Sequence, residues 1–194
     1  MTKRPTIGCL ALQGCVERHR PHIEAAFADF TPVKTVKEFE AVDAFILPGG
    51  ESTTMLKLIE RFELWDALKE QFARKPVWGI CAGSILMAEH VENPEQKSFG
   101  IMPYTAIRNG YGRQLESEII DIDGYDVSFI RAPVLTKPAD DLEILNTRDG
   151  EPTWIRNGKN MVTTFHPELT FTFPSPMHAM FVNIVKEHLK NNAA

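Results

Sequence analysis

The sequence predicts an α/β fold: a mostly parallel central sheet flanked by helices, with an antiparallel elaboration in its second half. Three observations lead there. Over the first 90 residues, strand-like apolar runs alternate with amphipathic helical stretches, the pattern of parallel β-α units covered on both faces. Val77 to Ile80 is a continuous apolar run, as expected of a buried strand. Hairpin dipeptides appear only later, at Asp123-Gly124, Asp149-Gly150 and Asn157-Gly158, where the texture changes to short β-like pieces. With 194 residues, 43% of them hydrophobic, the chain is long enough for one sizeable core, and a single domain spanning 1–194 is expected.

Taken in order, Thr6 to Leu12 reads as the first strand and stops at Gln13-Gly14. Val16 to Phe27 carries apolar residues at Val16, Ile23 and Phe27, compatible with a helix on a sheet. Thr31 to Val36 reads as a second strand, and Ala44 to Leu47 as a third that ends at Pro48-Gly49-Gly50. Two helical stretches fill Thr53 to Arg74, with Met55, Leu58, Ile59 and Phe62 on one face and Trp65, Leu68 and Phe72 on the next. Pro76 opens the strand that leads to Cys81, and Ala82 to Ala88 reads as a helix. Strand-like pieces follow at Tyr104 to Arg108, Ser117 to Ile122, Val127 to Arg131, Leu142 to Asn146, Thr153 to Ile155 and Met161 to Phe165. Met177 to Leu189 closes the chain as a helix with one buried face. There is no internal repeat.

Composition narrows the function. Twenty-one basic against 26 acidic side chains give a formal charge of −5 without a long run of either sign, which disfavours nucleic acid and anionic membrane as partners. No apolar run approaches ~20 residues, and the first residues lack a signal-peptide pattern, so a soluble cytoplasmic protein is expected. Cys9, Cys15 and Cys81 are an odd set without C-x-x-C spacing, which argues against a disulfide framework and a zinc site. His19, His22, His90 and His188 are scattered, and no metal is expected.

Three stretches could carry chemistry. Gly79-Ile-Cys-Ala-Gly83 places Cys81 on a turn between a buried strand and a helix, the nucleophile-elbow arrangement with sulfur in place of oxygen. The helix N-terminus favours thiolate over thiol there. A packing role competes, since free cysteine often fills core space. Thr164-Phe-His-Pro-Glu168 follows a strand-like run, and an extended backbone would point His166 and Glu168 to one side. A thiol needs such an imidazole to take its proton, and a carboxylate fixes the imidazole's tautomer. Taken singly, a structural histidine and a solvated carboxylate are the commoner explanation, and it is the pairing with the elbow that makes the catalytic reading preferable. Leu47-Pro-Gly-Gly-Glu-Ser-Thr53 can aim backbone N–H groups at a phosphate or an oxyanion, or simply make a tight turn with a helix cap. It lacks the P-loop pattern, which disfavours nucleotides.

The elbow, the P-G-G-E-S loop and the F-H-P-E segment resemble the class I (triad) glutamine amidotransferases. Leu10-Ala-Leu-Gln-Gly14, Leu47-Pro-Gly-Gly-Glu-Ser-Thr-Thr54, Arg108-Asn-Gly-Tyr-Gly-Arg-Gln114, Phe129-Ile-Arg-Ala-Pro133 and Phe165-His-Pro-Glu-Leu-Thr170 narrow the resemblance to the glutaminase subunit of pyridoxal 5′-phosphate synthase. It implies a flavodoxin-like domain in which Cys81, His166 and Glu168 form a triad that hydrolyses L-glutamine to glutamate and ammonia through a thioester. It further implies an oxyanion hole at Gly50 and Ala82, and glutamine held by Gly50, Glu51, Ser52, Arg108, Ile130 and Arg131. Gln13 matches a position near the interface with the synthase subunit, which takes up the ammonia in members of this family. Pyridoxal 5′-phosphate would be the product of that complex, and no cofactor is expected on this chain. Another amidotransferase glutaminase, or a non-catalytic regulatory subunit on the same fold, are the competing readings.

Overall fold

A computed structural model describes residues 4–110 and 117–192. Its centre is a seven-stranded sheet. Five strands run parallel: β1 (Thr6–Leu10), β2 (Asp29–Val33), β3 (Ala44–Leu47), β4 (Val77–Ile80) and, after a long excursion, β12 (Asn160–Thr163). Their spatial order, β2-β1-β3-β4-β12, is that of flavodoxin-like sheets. Two antiparallel strands, β10 (Glu143–Arg148) and β11 (Glu151–Asn157), extend the sheet beyond β12. A mixed three-stranded sheet is built from β5 (Ala88–Glu92), β6 (Met102–Ile107) and β9 (Val134–Thr136), and a two-stranded ribbon from β7 (Glu118–Ile122) and β8 (Tyr125–Phe129). The elaboration is therefore partly parallel, because β5 runs alongside β6 in the same direction.

The central strands β3 and β4 carry no polar side chain because both faces are covered. In β3, Phe45 and Leu47 enter one core cluster while Ala44 and Ile46 enter the other, as the period of two requires. The first cluster packs under α2 (Val36–Ala41), α3 (Ser52–Arg61), α4 (Trp65–Arg74) and α5 (Ala82–Met87), through Phe39, Met55, Ile59, Leu68, Phe72 and Leu86. The second packs under α1 (Arg20–Ala25) and α6 (Pro176–Asn192), through Ile23, Phe181 and Val185.

Several boundaries differ from the sequence reading. The segment expected to be a strand to Val36 instead turns at Lys34 and enters α2. Thr35 and Glu38 form a reciprocal capping box there, with the Glu38 carboxylate accepting from the Thr35 N–H at 2.9 Å. The expected helix over Val16 to Phe27 is a 3-10 turn (Glu17–His19) followed by the six-residue α1. Phe62 is exposed at the end of α3, and Leu56 takes its place in the core. The hairpin predicted at Asn157-Gly158 is shifted by one residue. Asn157 pairs with Asn160, and Gly158, with φ of 54°, takes the first turn position. Pro32 lies in the outer strand β2, and β10 carries irregular register between Ile144 and Thr147 at the opposite edge.

Gly79 and Gly83 set the approach of α5 to the sheet. A Cβ at Gly83 would lie 2.0 Å from the Leu47 carbonyl oxygen, and one at Gly79 would lie 2.7 Å from the Gly83 carbonyl. Backbone cannot yield as a flexible side chain can, so Gly83→Ala is expected to cost at least about 2 kcal/mol. That is a fall in Tm of roughly 4–8 °C for a chain of this size. Calorimetry of the two proteins checks it, and an unchanged Tm would show that α5 is not held against β3.

Candidate active site

The carboxyl ends of β1, β3, β4 and β12 meet at a cavity of about 450 Å³, the place where open parallel sheets hold their ligands. Gln13, Gly50, Glu51, Ser52, Cys81 and Ala82 line it, together with Arg108, Ile130, Arg131 and His166. Glu168 is the one residue of the sequence-predicted set that stands behind the wall, fully buried against His166.

Cys81 has φ 48° and ψ −103°, a left-handed conformation that costs a non-glycine residue on the order of 1–3 kcal/mol. Its surroundings hold it there. The Cys81 N–H donates to Thr163 O at 2.8 Å, tying the turn to β12, and Ser84 Oγ donates to Cys81 O at 2.7 Å. Tyr104 in turn donates its hydroxyl to Ser84 O at 2.5 Å, so the buried sheet strand β6 braces the first turn of α5. Cys81 Sγ lies 3.8 Å from the Ile130 carbonyl oxygen and also interacts with His166. The two other thiols are poorly suited to nucleophilic work. Burial, reinforced by the Glu168 charge, pushes Cys15 up to about 11 and Cys9 well above the ordinary thiol range.

His166 and Glu168 do come together, by a different local geometry from the extended one expected. The strand β12 ends at Thr163, and Pro167–Leu169 is a 3-10 turn that folds the carboxylate back under the ring. Glu168 Oε1 accepts from His166 Nδ1 at 2.8 Å, which leaves His166 Nε2 for the cavity. His166 is fixed from a third direction by β8, since its N–H donates to Ser128 O at 2.8 Å. Burial opposes a charged imidazole. The Glu168 carboxylate and the Cys81 sulfur outweigh it and hold the His166 pKa well above its usual value. Burial likewise opposes the Glu168 charge, and His166 outweighs it, so the carboxyl titrates below its usual range.

The glycine loop is anchored from β1. Gln13 Oε1 accepts from the Glu51 N–H at 2.8 Å, and the Cys15 N–H donates to Gly49 O at 2.9 Å. A Cβ at Gly49 would sit 2.2 Å from His166 Cε1, so only glycine lets this loop pass the imidazole. Glu51 caps α3, accepting from the N–H groups of Thr53 and Thr54 at 3.1 and 2.7 Å; against a burial effect, these bonds keep its pKa low. Arg108 Nη2 donates to Thr53 Oγ1 at 2.8 Å and lies 3.5 Å from Glu51 Oε1. Arg131 sits at φ 46°, exposed at the cavity rim.

The sequence reading did not single out Thr53 or Gln96. Ser52 Oγ and Thr53 Oγ1 donate to Gln96 Oε1 at 3.1 and 3.2 Å, and nothing local in the sequence links positions more than 40 apart. Of the Arg108 to Gln114 motif, residues 111–114 lie outside the described residues. No helix among the described residues is long and apolar enough to cross a membrane.

The arrangement matches that of known proteins along nearly the whole chain. The profile of the SNO glutamine amidotransferase family matches residues 9–187. The pyridoxal 5′-phosphate synthase subunit PdxT of Kosmotoga olearia is 41% identical over 173 residues, 84% of this chain and 90% of that one. The PdxT subunit of Fervidobacterium nodosum is 38% identical over 191 residues, 95% and 99% of the two chains. A crystal structure of a glutamine amidotransferase superposes with a TM-score of 0.83 at 32% identity, covering 93% of this chain and 98% of that one. A glutamine amidotransferase from Thermotoga maritima, 14% identical with a TM-score of 0.53 over 97% and 98% of the chains, shares the fold. A cysteine on a strained elbow, an imidazole backed by a buried carboxylate and a glycine loop thus stand on a sheet within the residues 9–187 that the family profile matches, and the chain belongs to the SNO glutamine amidotransferase family.

Proposed function

We propose that this chain, as one glutamine amidotransferase domain, is the glutaminase subunit of a pyridoxal 5′-phosphate synthase. It would release ammonia from L-glutamine and pass it to a synthase subunit, a reading supported by its glutamine amidotransferase family and by relatives named as a subunit of pyridoxal 5′-phosphate synthase. The observation that carries the reading is the placement of Cys81 beside His166, with Glu168 2.8 Å behind the ring, at the floor of the cavity.

In this reading His166 Nε2 takes the Cys81 proton and the sulfur attacks the side-chain amide carbon of glutamine. The oxyanion that forms is met by the backbone N–H groups of Gly50 and Ala82, the latter at the N-terminus of α5. His166 returns the proton to the departing nitrogen, so ammonia leaves and a glutamyl thioester remains. Water, deprotonated by the same imidazole, then cleaves the thioester to glutamate and the free thiol. Glu168 keeps the ring in the Nδ1–H tautomer and balances its charge without taking the proton. Arg108 and Arg131 suit the α-carboxylate of the substrate, since a guanidinium can bind two oxygens at once. Gly50, Glu51, Ser52 and Ile130 complete the walls around the amino acid. Gln13 joins the glycine loop to the β1 loop and would lie towards the synthase. Ammonia needs that shielded route, because in water it is mostly protonated and no longer nucleophilic.

Glutamate release, measured with and without the cognate synthase, tests the reading. Cys81→Ala is expected to lower turnover by about three orders of magnitude or more with the fold intact. Glu168→Gln is expected to lower it by roughly 10²–10⁴. A folded wild-type protein that releases no glutamate in either condition overturns the assignment.

The ion pair also makes stability depend on pH. The raised His166 pKa contributes stability that is full below the unfolded value of 6.5 and fades as pH rises through the folded one. The lowered Glu168 pKa contributes stability that is full above its unfolded value of 4.5 and fades as pH falls. The Tm difference between wild type and Glu168→Gln is therefore expected to be largest between about pH 4.5 and 6.5, and a difference that is flat across pH 4 to 9 would contradict it.

A further inference from the structure

Behind the site, on the face covered by α1 and α6, two neighbouring histidines near the start of the chain, His19 and His22, are fully buried with His178 of α6. The 3-10 turn Glu17–His19 packs against the 3-10 turn that carries Glu168. His19 Nδ1 is 2.9 Å from His178 Nε2, and His178 Nδ1 is 2.6 Å from Ser175 Oγ. Three atoms of this cluster and its neighbour are sealed from solvent and have no hydrogen-bond partner among the described residues: His19 Nε2, His22 Nε2 and Glu168 Oε2. The two ring nitrogens are able to donate and the carboxylate oxygen to accept, and buried polar groups of this kind are nearly always paired. His22 is turned to the backbone of Glu168 and Thr170, whereas His19 is the ring after His166 whose charge acts on the Glu168 carboxyl.

We propose that His19 donates an Nε2–H to Glu168 Oε2 through one buried water, as the last link of a directed hydrogen-bond chain running from Ser175 through His178. His19 is then a positioning residue for the triad, and this rests on the glutaminase reading given above.

The direction of the chain follows from charge. Burial keeps His19, His22 and His178 below the ordinary imidazole pKa, so at neutral pH each ring carries one N–H proton. The protons can then run in two ways. In the first, Ser175 O–H donates to His178 Nδ1, His178 Nε2–H donates to His19 Nδ1, and His19 Nε2–H points onward. In the second, every donor reverses and His19 Nε2 presents a lone pair. A buried carboxylate repels that lone pair and attracts the N–H, so Glu168 selects the first. Ser175 is well placed to start the chain, because the His178 N–H already donates to its Oγ at 3.1 Å and leaves the hydroxyl proton free to be given away. His22 braces the corner by accepting from the Ser175 N–H at 3.0 Å. Its ring lies flat on that of His178 at 4.2 Å between centroids, so the nitrogens of the three rings do not converge on a point, and a metal does not account for the cluster.

Glu168 is thereby held at both oxygens, by His166 at Oε1 and by His19 at Oε2. The groups facing it from the surrounding elements are Cys9, Cys15, His22 and Tyr125, besides the two histidines that donate to it. The thiols and the phenol are held neutral by burial, so His19 is the group whose loss the carboxylate would feel most after His166.

Two measurements test this. In ¹⁵N-histidine-labelled wild-type protein at pH 7, His19 and His178 are expected as Nε2–H tautomers with unprotonated Nδ1; an Nδ1–H tautomer at His19 overturns the proposal whatever the protein's activity. In glutamate release with the cognate synthase, His19→Asn keeps an amide only at the Nδ1 side and is expected to lower kcat on the order of 10- to 100-fold at nearly unchanged KM. Losing a donor also eases protonation of Glu168, so the acid limb of its kcat profile moves to higher pH. His19→Gln places an amide near the Nε2 position and is expected to recover most of kcat and the original limb. Wild-type kcat and pH profile in His19→Asn overturn the positioning role while leaving the glutaminase reading standing. A wild-type protein inert towards glutamine fails that reading, and the tautomers still decide the chain.

Discussion

The structure depends first on how closely the helix after Cys81 can approach the end of β3. Gly83 lies where a Cβ would meet the Leu47 carbonyl oxygen, and Gly79 where a Cβ would meet Gly83. This contact between backbones lets the chain reverse within one residue, and the reversal places Cys81 at positive φ with its sulfur in the cavity. It also brings the glycine loop that leaves β3 within reach of both Cys81 and His166. Moving α5 outward by the width of a methyl group would relieve Cys81 of its strain and at the same time separate it from the N–H groups beside it.

The second half of the chain serves this contact from the opposite side. The β12 strand gives Cys81 its backbone partner at Thr163, β8 gives His166 its partner at Ser128, and β6 supplies the Tyr104 hydroxyl that braces Ser84. Tyr125 donates to the Thr172 carbonyl at 2.9 Å and so secures the segment that follows Glu168. These are polar anchors inside an apolar frame. The first two hold Cys81 and His166, the residues whose side chains face the cavity, and the others secure the segments beside them.

Much of this was legible in the sequence, for physical reasons. Strands β3 and β4 were readable because strands covered on both faces are apolar at every position, with boundaries set by Pro48 and Pro76. Cys81, Gly50 and His166 were readable because close backbone contacts demand glycine at fixed offsets and because F-H-P-E is a compact local signal. The helix α2 was missed although Thr35 and Glu38 have capping-box spacing, since the β-branched residues around them favoured a strand. The route by which Glu168 reaches His166 was misjudged because proline at the first position of a 3-10 turn looks, in sequence, the same as proline ending a strand. Gln96, Tyr104 and the grouping of His19, His22 and His178 left no trace, since they become neighbours only once the second sheet and α6 have packed.

The two margins of the main sheet have a consequence for assembly. On one side the outer strand contains Pro32, which has no N–H to offer, and on the other the register of β10 slips between Ile144 and Thr147. Neither margin presents the regular ladder of donors and acceptors that another strand would need for lateral addition. The main sheet is thus poorly suited to growth by lateral addition of a strand at either margin.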